Sequence, residues 1–154
     1  VIFIFKKIKE DKMTDTLPDK PSELILLALE DLEKTEKDYR YKIDMDVYHD
    51  RLVGNGMICS VCLAGAVMAQ RLSPDNTDRC LMPGYFNTKI RDKLYALNSF
   101  RQGEIYSGLY EMNKSFSRDD VDQIDAFVTP YELDPGEFKS DMRRLAQELS
   151  DIGL

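Results

Sequence analysis

The residues with the greatest chemical capacity lie between positions 49 and 80: His49, Cys59, Cys62 and Cys80. Cys59-Ser-Val-Cys62 holds two thiols at a spacing that lets a turn bring both sulfurs onto one metal ion. A structural zinc would need two more ligands. Cys80 and His49, the only histidine, are the candidates. No second closely spaced ligand pair supports them, so the zinc signal is weak. The same spacing suits a redox pair at a helix start, where the dipole lowers a thiol pKa. The preceding strand and the Trp or Pro context usual for such pairs are missing. The favoured reading is plainer: Cys59 and Cys62 are small core hydrophobes beside Leu63 and Ala64.

His49 stands in Tyr48-His49-Asp50-Arg51. Between a Tyr and an Asp it could act as a general base, with Asp50 orienting the ring. No Ser or Cys nucleophile in a recognisable setting accompanies it, and a surface or capping histidine is preferred. A third constellation is acidic. Asp119, Asp120, Asp122 and Asp125 fall on one expected short helix, and from Ser117 onward ten acids face four bases. Such a face could imitate a nucleic-acid phosphate backbone. A solvated helix face with carboxylates near its N-terminus explains it more simply. Asp119-x-x-Asp122 lacks the Gly and terminal Glu of a calcium loop. Phosphate loops, dinucleotide fingerprints, serine elbows and zincin helices do not occur.

The composition narrows the function classes. A chain of 154 residues can bury one ordinary core, and 43% hydrophobic residues argue against disorder. The net charge of -7 opposes nonspecific nucleic-acid binding and an anionic membrane surface. Three cysteines, an odd and low count, fit reduced thiols in a cytoplasm better than a disulfide framework. No apolar run is long enough for a membrane-spanning helix. Val1–Phe5 is apolar and residues 6–12 are charged, with four lysines against Glu10 and Asp11. Met13 then reads like an ordinary protein start. Residues 1–12 are therefore expected to be an upstream extension, from an alternative start codon or from cloning. Without them the net charge is -9.

The elements that must position these groups are mostly helical. Leu24, Leu27, Ala28 and Leu32 recur at helical spacing after Pro21 and Ser22. Tyr41, Ile43, Met45 and Val47 alternate with polar residues, and Gly54-Asn55-Gly56 is the strongest turn signal. A short hairpin within 41–58, running into Cys59, fits both. Residues 62–71 predict a buried helix, because Leu63 to Ala69 are apolar all round. Asn87 starts another helix with Ile90, Leu94 and Leu97 on one face. Asn98-Ser99 is expected to end it, and Phe100 to Met112 follow as a further helix. Ser117-Arg-Asp-Asp120 resembles a capping box ahead of a Val121, Ile124, Val128 stripe. Asp134-Pro-Gly-Glu137 opens a last helix carrying Phe138, Met142, Leu145 and Leu149. The expectation is a mainly α, compact domain over 13–154, with about five or six helices, one short β-hairpin and an acidic helix pair over 117–154.

Several stretches together resemble small uncharacterised proteins encoded by phages and prophages. They are Lys20-Pro-Ser-Glu-Leu-Ile25, Ile43-Asp-Met45 with Tyr48-His49, Cys59-Ser-Val-Cys-Leu-Ala-Gly-Ala-Val-Met-Ala69 and Tyr95-Ala-Leu-Asn-Ser-Phe-Arg-Gln-Gly103. The likeness spans roughly residues 17 to 110. The group often has Trp where Tyr48 stands, and the acidic C-terminal part carries no likeness. The resemblance implies provenance rather than mechanism. It favours a small accessory protein in the host cytoplasm that binds another protein, or itself, over a metabolic enzyme. The alternative is a small metal protein or enzyme built on His49, Cys59, Cys62 and Cys80.

Overall fold

The computed structural model describes residues 17–51, 59–73, 80–124 and 127–154. The expected extension over 1–12, the Gly54–Gly56 turn and Asp125 lie outside the described residues.

Helix α1 spans Pro21–Glu36. Pro21 occupies its first turn, where a missing N–H costs nothing. Ser22 does not cap the helix. Its hydroxyl and backbone N–H both donate to the Leu154 carbonyl, at 3.0 and 3.3 Å. The buried stripe is Leu24, Ile25, Ala28, Leu29 and Leu32, and it packs against the last helix on one side and the second on another.

A small sheet follows, formed by β1 (Tyr41–Ile43), β2 (His49–Arg51) and β3 (Cys59–Val61). The spatial order is β1-β3-β2. β2 and β3 pair antiparallel with His49 opposite Val61, which is the expected hairpin pairing. β1 joins the other side of β3 in parallel, with Tyr41 opposite Cys59. Period-two alternation gave no hint of that parallel partner, because alternation is the same in either orientation.

Helix α2 (Leu63–Val67) continues into a π turn, Met68–Leu72. As the apolar run predicts, Leu63 to Ala69 are wholly enclosed. The wider turn closes with the Ser73 N–H on the Met68 carbonyl at 2.8 Å. Its two polar residues are tied to other elements. Arg71 makes two 3.0 Å hydrogen bonds to the buried Asp31 carboxylate of α1, and the Gln70 amide reaches Asp38 at 3.2 Å.

Asn87 caps α3 (Thr88–Arg101) by accepting from the Ile90 N–H at 3.0 Å. The break expected at Asn98-Ser99 does not occur there. α3 runs on to Arg101, and the chain turns at Gly103, whose φ is 77°. The Gly103 N–H bonds the Phe100 carbonyl and the Glu104 N–H bonds the Ser99 carbonyl, each at 3.0 Å. This paired closure needs a left-handed residue that only glycine supplies cheaply. α4 (Ile105–Met112) then packs back on α3, with Gly108 directly against the Phe100 ring.

The segment after Ser117 also departs from expectation. Ser117 makes no side-chain cap, and Arg118–Val121 forms a single 3₁₀ turn rather than the start of a helix. The apolar stripe still faces inward, with Val121 buried and Ile124 and Val128 packed on the core. α5 (Pro135–Asp151) begins as predicted, the Asp134 carboxylate accepting from the Glu137 N–H at 3.1 Å. Phe138, Met142, Leu145 and Leu149 are buried against α1. The result is a mainly α domain of five α-helices and one three-stranded sheet among the described residues. None of these helices is long and apolar enough to cross a membrane.

Candidate functional site

Alternation along the three strands sorts the chemical residues onto two faces. Tyr41, His49, Cys59 and Val61 share one face of the sheet, and Tyr41, Cys59 and Val61 pack there with Ala69 of the π turn. The Tyr41 and His49 rings meet edge to face, with centroids 6.0 Å apart. His49 is only 2% exposed. The surface or capping position expected for it is therefore overturned: the hairpin that was expected here carries it inward. Neither imidazole nitrogen, nor the Tyr41 hydroxyl, has a hydrogen-bond partner among the described residues. Burial lowers the His49 pKa and raises that of Tyr41, because each charged form would lose its hydration.

Asp50 does not orient the imidazole. The pleat turns it to the opposite face, where its carboxylate accepts from the exposed Cys80 thiol at 3.1 Å. The backbone strengthens that edge, since the Leu81 N–H donates to the His49 carbonyl at 3.2 Å.

The two motif cysteines separate. Cys59 is fully buried in the sheet, among Tyr41 and Val61. Cys62 lies at the N-cap of α2, where its sulfur accepts from the Gly65 N–H at 3.4 Å. A helix start would favour a thiolate there, but burial outweighs it and pushes the Cys62 thiol pKa up. The fold therefore brings His49 and Cys59 to one face and leaves Cys62 and Cys80 in other surroundings. Among the described residues, no group of three or more His, Cys, Asp or Glu side chains is placed to hold a metal ion.

The acidic residues take a different arrangement from one helix face. Asp119 and Asp122 border a cleft of about 530 Å³ with Phe116, Gln123, Ile152 and Leu154. Asp120 belongs to the 3₁₀ turn between them.

One surface had no counterpart in the motif reading. The segment from Phe127 to Asp134, leading into α5, turns Phe127 and Leu133 outward, 66% and 78% exposed. The backbone carrying them is tied down at several points. The Arg144 guanidinium donates to the Phe127 carbonyl at 2.7 Å, and the Thr129 N–H donates to the Asp141 carboxylate at 2.7 Å. The Tyr131 hydroxyl donates to Glu36 at 2.7 Å, and its ring stands edge-on to Phe138. Two bulky apolar residues near Pro130 and Pro135, outside any helical stripe, were the available signal. No known protein family, characterised protein or solved structure matches this chain.

Proposed function

We propose that this chain is an accessory protein of the phage or prophage kind, working by binding another protein rather than by catalysis. The observation that supports this reading is the Phe127–Asp134 segment. Apolar side chains scattered on a surface are ordinary. Here two large ones are presented on a backbone already fixed by side chains of α1 and α5. A partner that covers them gains apolar burial without first ordering the segment, which is the main cost of binding through a loop. The acidic balance of the C-terminal third favours a partner with a basic rim around its apolar contact.

The test is affinity capture with the full chain, run in parallel with the double variant F127S/L133S. A protein retained by the wild type and lost by the variant, with the thermal midpoint of the variant unchanged, is the expected result. Light scattering on both proteins identifies the case in which the partner is a second copy. Equal retention by the variant, or a monomeric wild type that retains nothing, would sink the reading.

A further inference from the structure

We propose that His49 is a protonation-sensitive latch on the small sheet: a proton added to its enclosed ring releases β2 from β3 and uncovers the Tyr41–Cys59–Val61 face. The inference starts from geometry. His49 is 2% exposed, and both ring nitrogens lack hydrogen-bond partners among the described residues. The neighbouring Tyr41 hydroxyl is equally unpartnered. Buried polar atoms are nearly always paired, so three that lack a partner among the described residues, on two adjacent rings, mark a place held closed by the surrounding structure.

An added charge on the ring finds only partial relief, from the His49 backbone and the Asp50 carboxylate, and burial outweighs both. From β1 the neighbour is Tyr41, itself kept neutral, with the Arg40 guanidinium 5.3 Å from the centre of its ring. That guanidinium is itself paired with the Asp38 carboxylate at 2.7 Å. From β3 the titratable neighbour on this face is the buried Cys59 thiol. Within β2, Asp50 is the adjacent carboxylate, but it is turned to the far face and occupied by Cys80. Full hydration of an imidazolium needs water, which reaches the enclosed ring when the sheet opens.

β2 is suited to do so. It is a three-residue edge strand, paired on one side to β3. On its other side the Leu81 N–H contact at 3.2 Å holds it. Among the described residues, the main core cluster is drawn largely from the helices and does not include His49.

The sign follows from linkage. The opened strand carries an ordinary histidine, with a pKa of about 6.5. The closed state takes up a proton less readily, so it is fully stable above that value. It loses stability as pH falls below it, up to about tenfold in the opening equilibrium per pH unit. Because His49 is the only histidine, its ring signal needs no assignment. The experiment is an NMR pH titration of that ring on the full chain. Hydrogen exchange of the β2 and β3 amides is measured alongside at neutral and mildly acid pH, corrected for intrinsic exchange. The expected result is a ring that stays neutral in the closed state, with β2 and β3 protection falling severalfold, toward a ceiling of about tenfold, from pH 7.5 to 5.5 while α1 and α5 protection holds. His49→Gln and His49→Phe should abolish that fall. A ring that titrates at the ordinary value with protection unchanged overturns the proposal. So does an equal loss of protection in either variant, or in the helices. If neither variant folds, the wild-type titration and exchange decide alone.

Discussion

Gly65 sets how closely α2 approaches the chain at Tyr48. A Cβ added there would collide with the Tyr48 carbonyl oxygen and stand 2.9 Å from the Val61 Cβ. Both obstacles are fixed, one being backbone and the other a packed strand residue, so the neighbours cannot yield as a flexible side chain would. Gly65→Ala is expected to destabilise the domain by about 3 kcal/mol, the upper end of overpacking costs. Urea unfolding of wild type and variant measures this, and a difference below about 1 kcal/mol would show that α2 shifts freely. The same enclosure governs the thiols. Cys59 and Cys62 are buried and Cys80 is exposed. A thiol reagent is therefore expected to modify one cysteine per chain quickly in the native state, and the other two only after denaturant is added. Rapid modification of two or three would contradict the placement of Cys59 and Cys62 inside the core.

At the scale of elements, the π turn is held by the side chains it carries. Arg71 supplies both hydrogen bonds that the Asp31 carboxylate receives from it, and Asp31 is 1% exposed. Removing one partner of such a pair leaves an uncompensated charge in the core, which costs more than the pair itself contributes. Arg71→Ala is expected to cost about 3 kcal/mol, whereas the double replacement Asp31→Leu with Arg71→Met should recover most of that loss. Thermal unfolding of the single and double variants checks the cycle. A double variant as unstable as Arg71→Ala would mean that the pair positions the π turn rather than only neutralising a charge. The α3–α4 junction illustrates a different element-scale rule. Asn98 and Ser99 are poor helix residues, but the chain continues through them because Leu97 and Phe100 are buried on the inner face. The stop comes where glycine makes the left-handed closure cheap.

For the whole molecule, acid stability is set by carboxylates whose neighbours favour the charged form. The Arg40 side chain holds the Asp38 pKa down to about 2, with Gln70 adding a hydrogen bond. Asp19 is lowered by Lys93 and Lys89, and Asp141 by the Thr129 backbone N–H. A carboxylate whose folded pKa lies below its unfolded value stabilises the fold fully above about pH 4. That contribution is lost as pH falls toward the folded value. Asp38→Asn is therefore expected to lower stability at neutral pH and to flatten the loss of stability between pH 4 and 2. Denaturant midpoints across that range test it, and an unchanged slope would remove Asp38 as a contributor. The His49 effect lies at a higher pH, below about 6.5, so the two are separable in one titration. Asp38 also connects the sheet to the rest of the domain, since its partners Arg40 and Gln70 sit beside β1 and in the π turn.

The sequence by itself determined the helical class, the stripes of α1, α3 and α5, and the starts at Asn87 and Asp134. Each depends on contacts within about one helical turn, so local spacing and cap chemistry carry the whole signal. It also indicated the strand at Tyr41–Ile43 and the enclosure of 62–69, although the alternation past Ile43 gives way to a turn over 45–46. The tertiary structure alone decided that β1 lies parallel to β3, that His49 is inside, and that Cys59 and Cys62 part company. It alone replaced the helix expected after Ser117 with a 3₁₀ turn. Those outcomes depend on register and on burial by distant residues. A one-residue change of register moves every side chain of a strand to the other face, and no local pattern records which register the rest of the chain imposes.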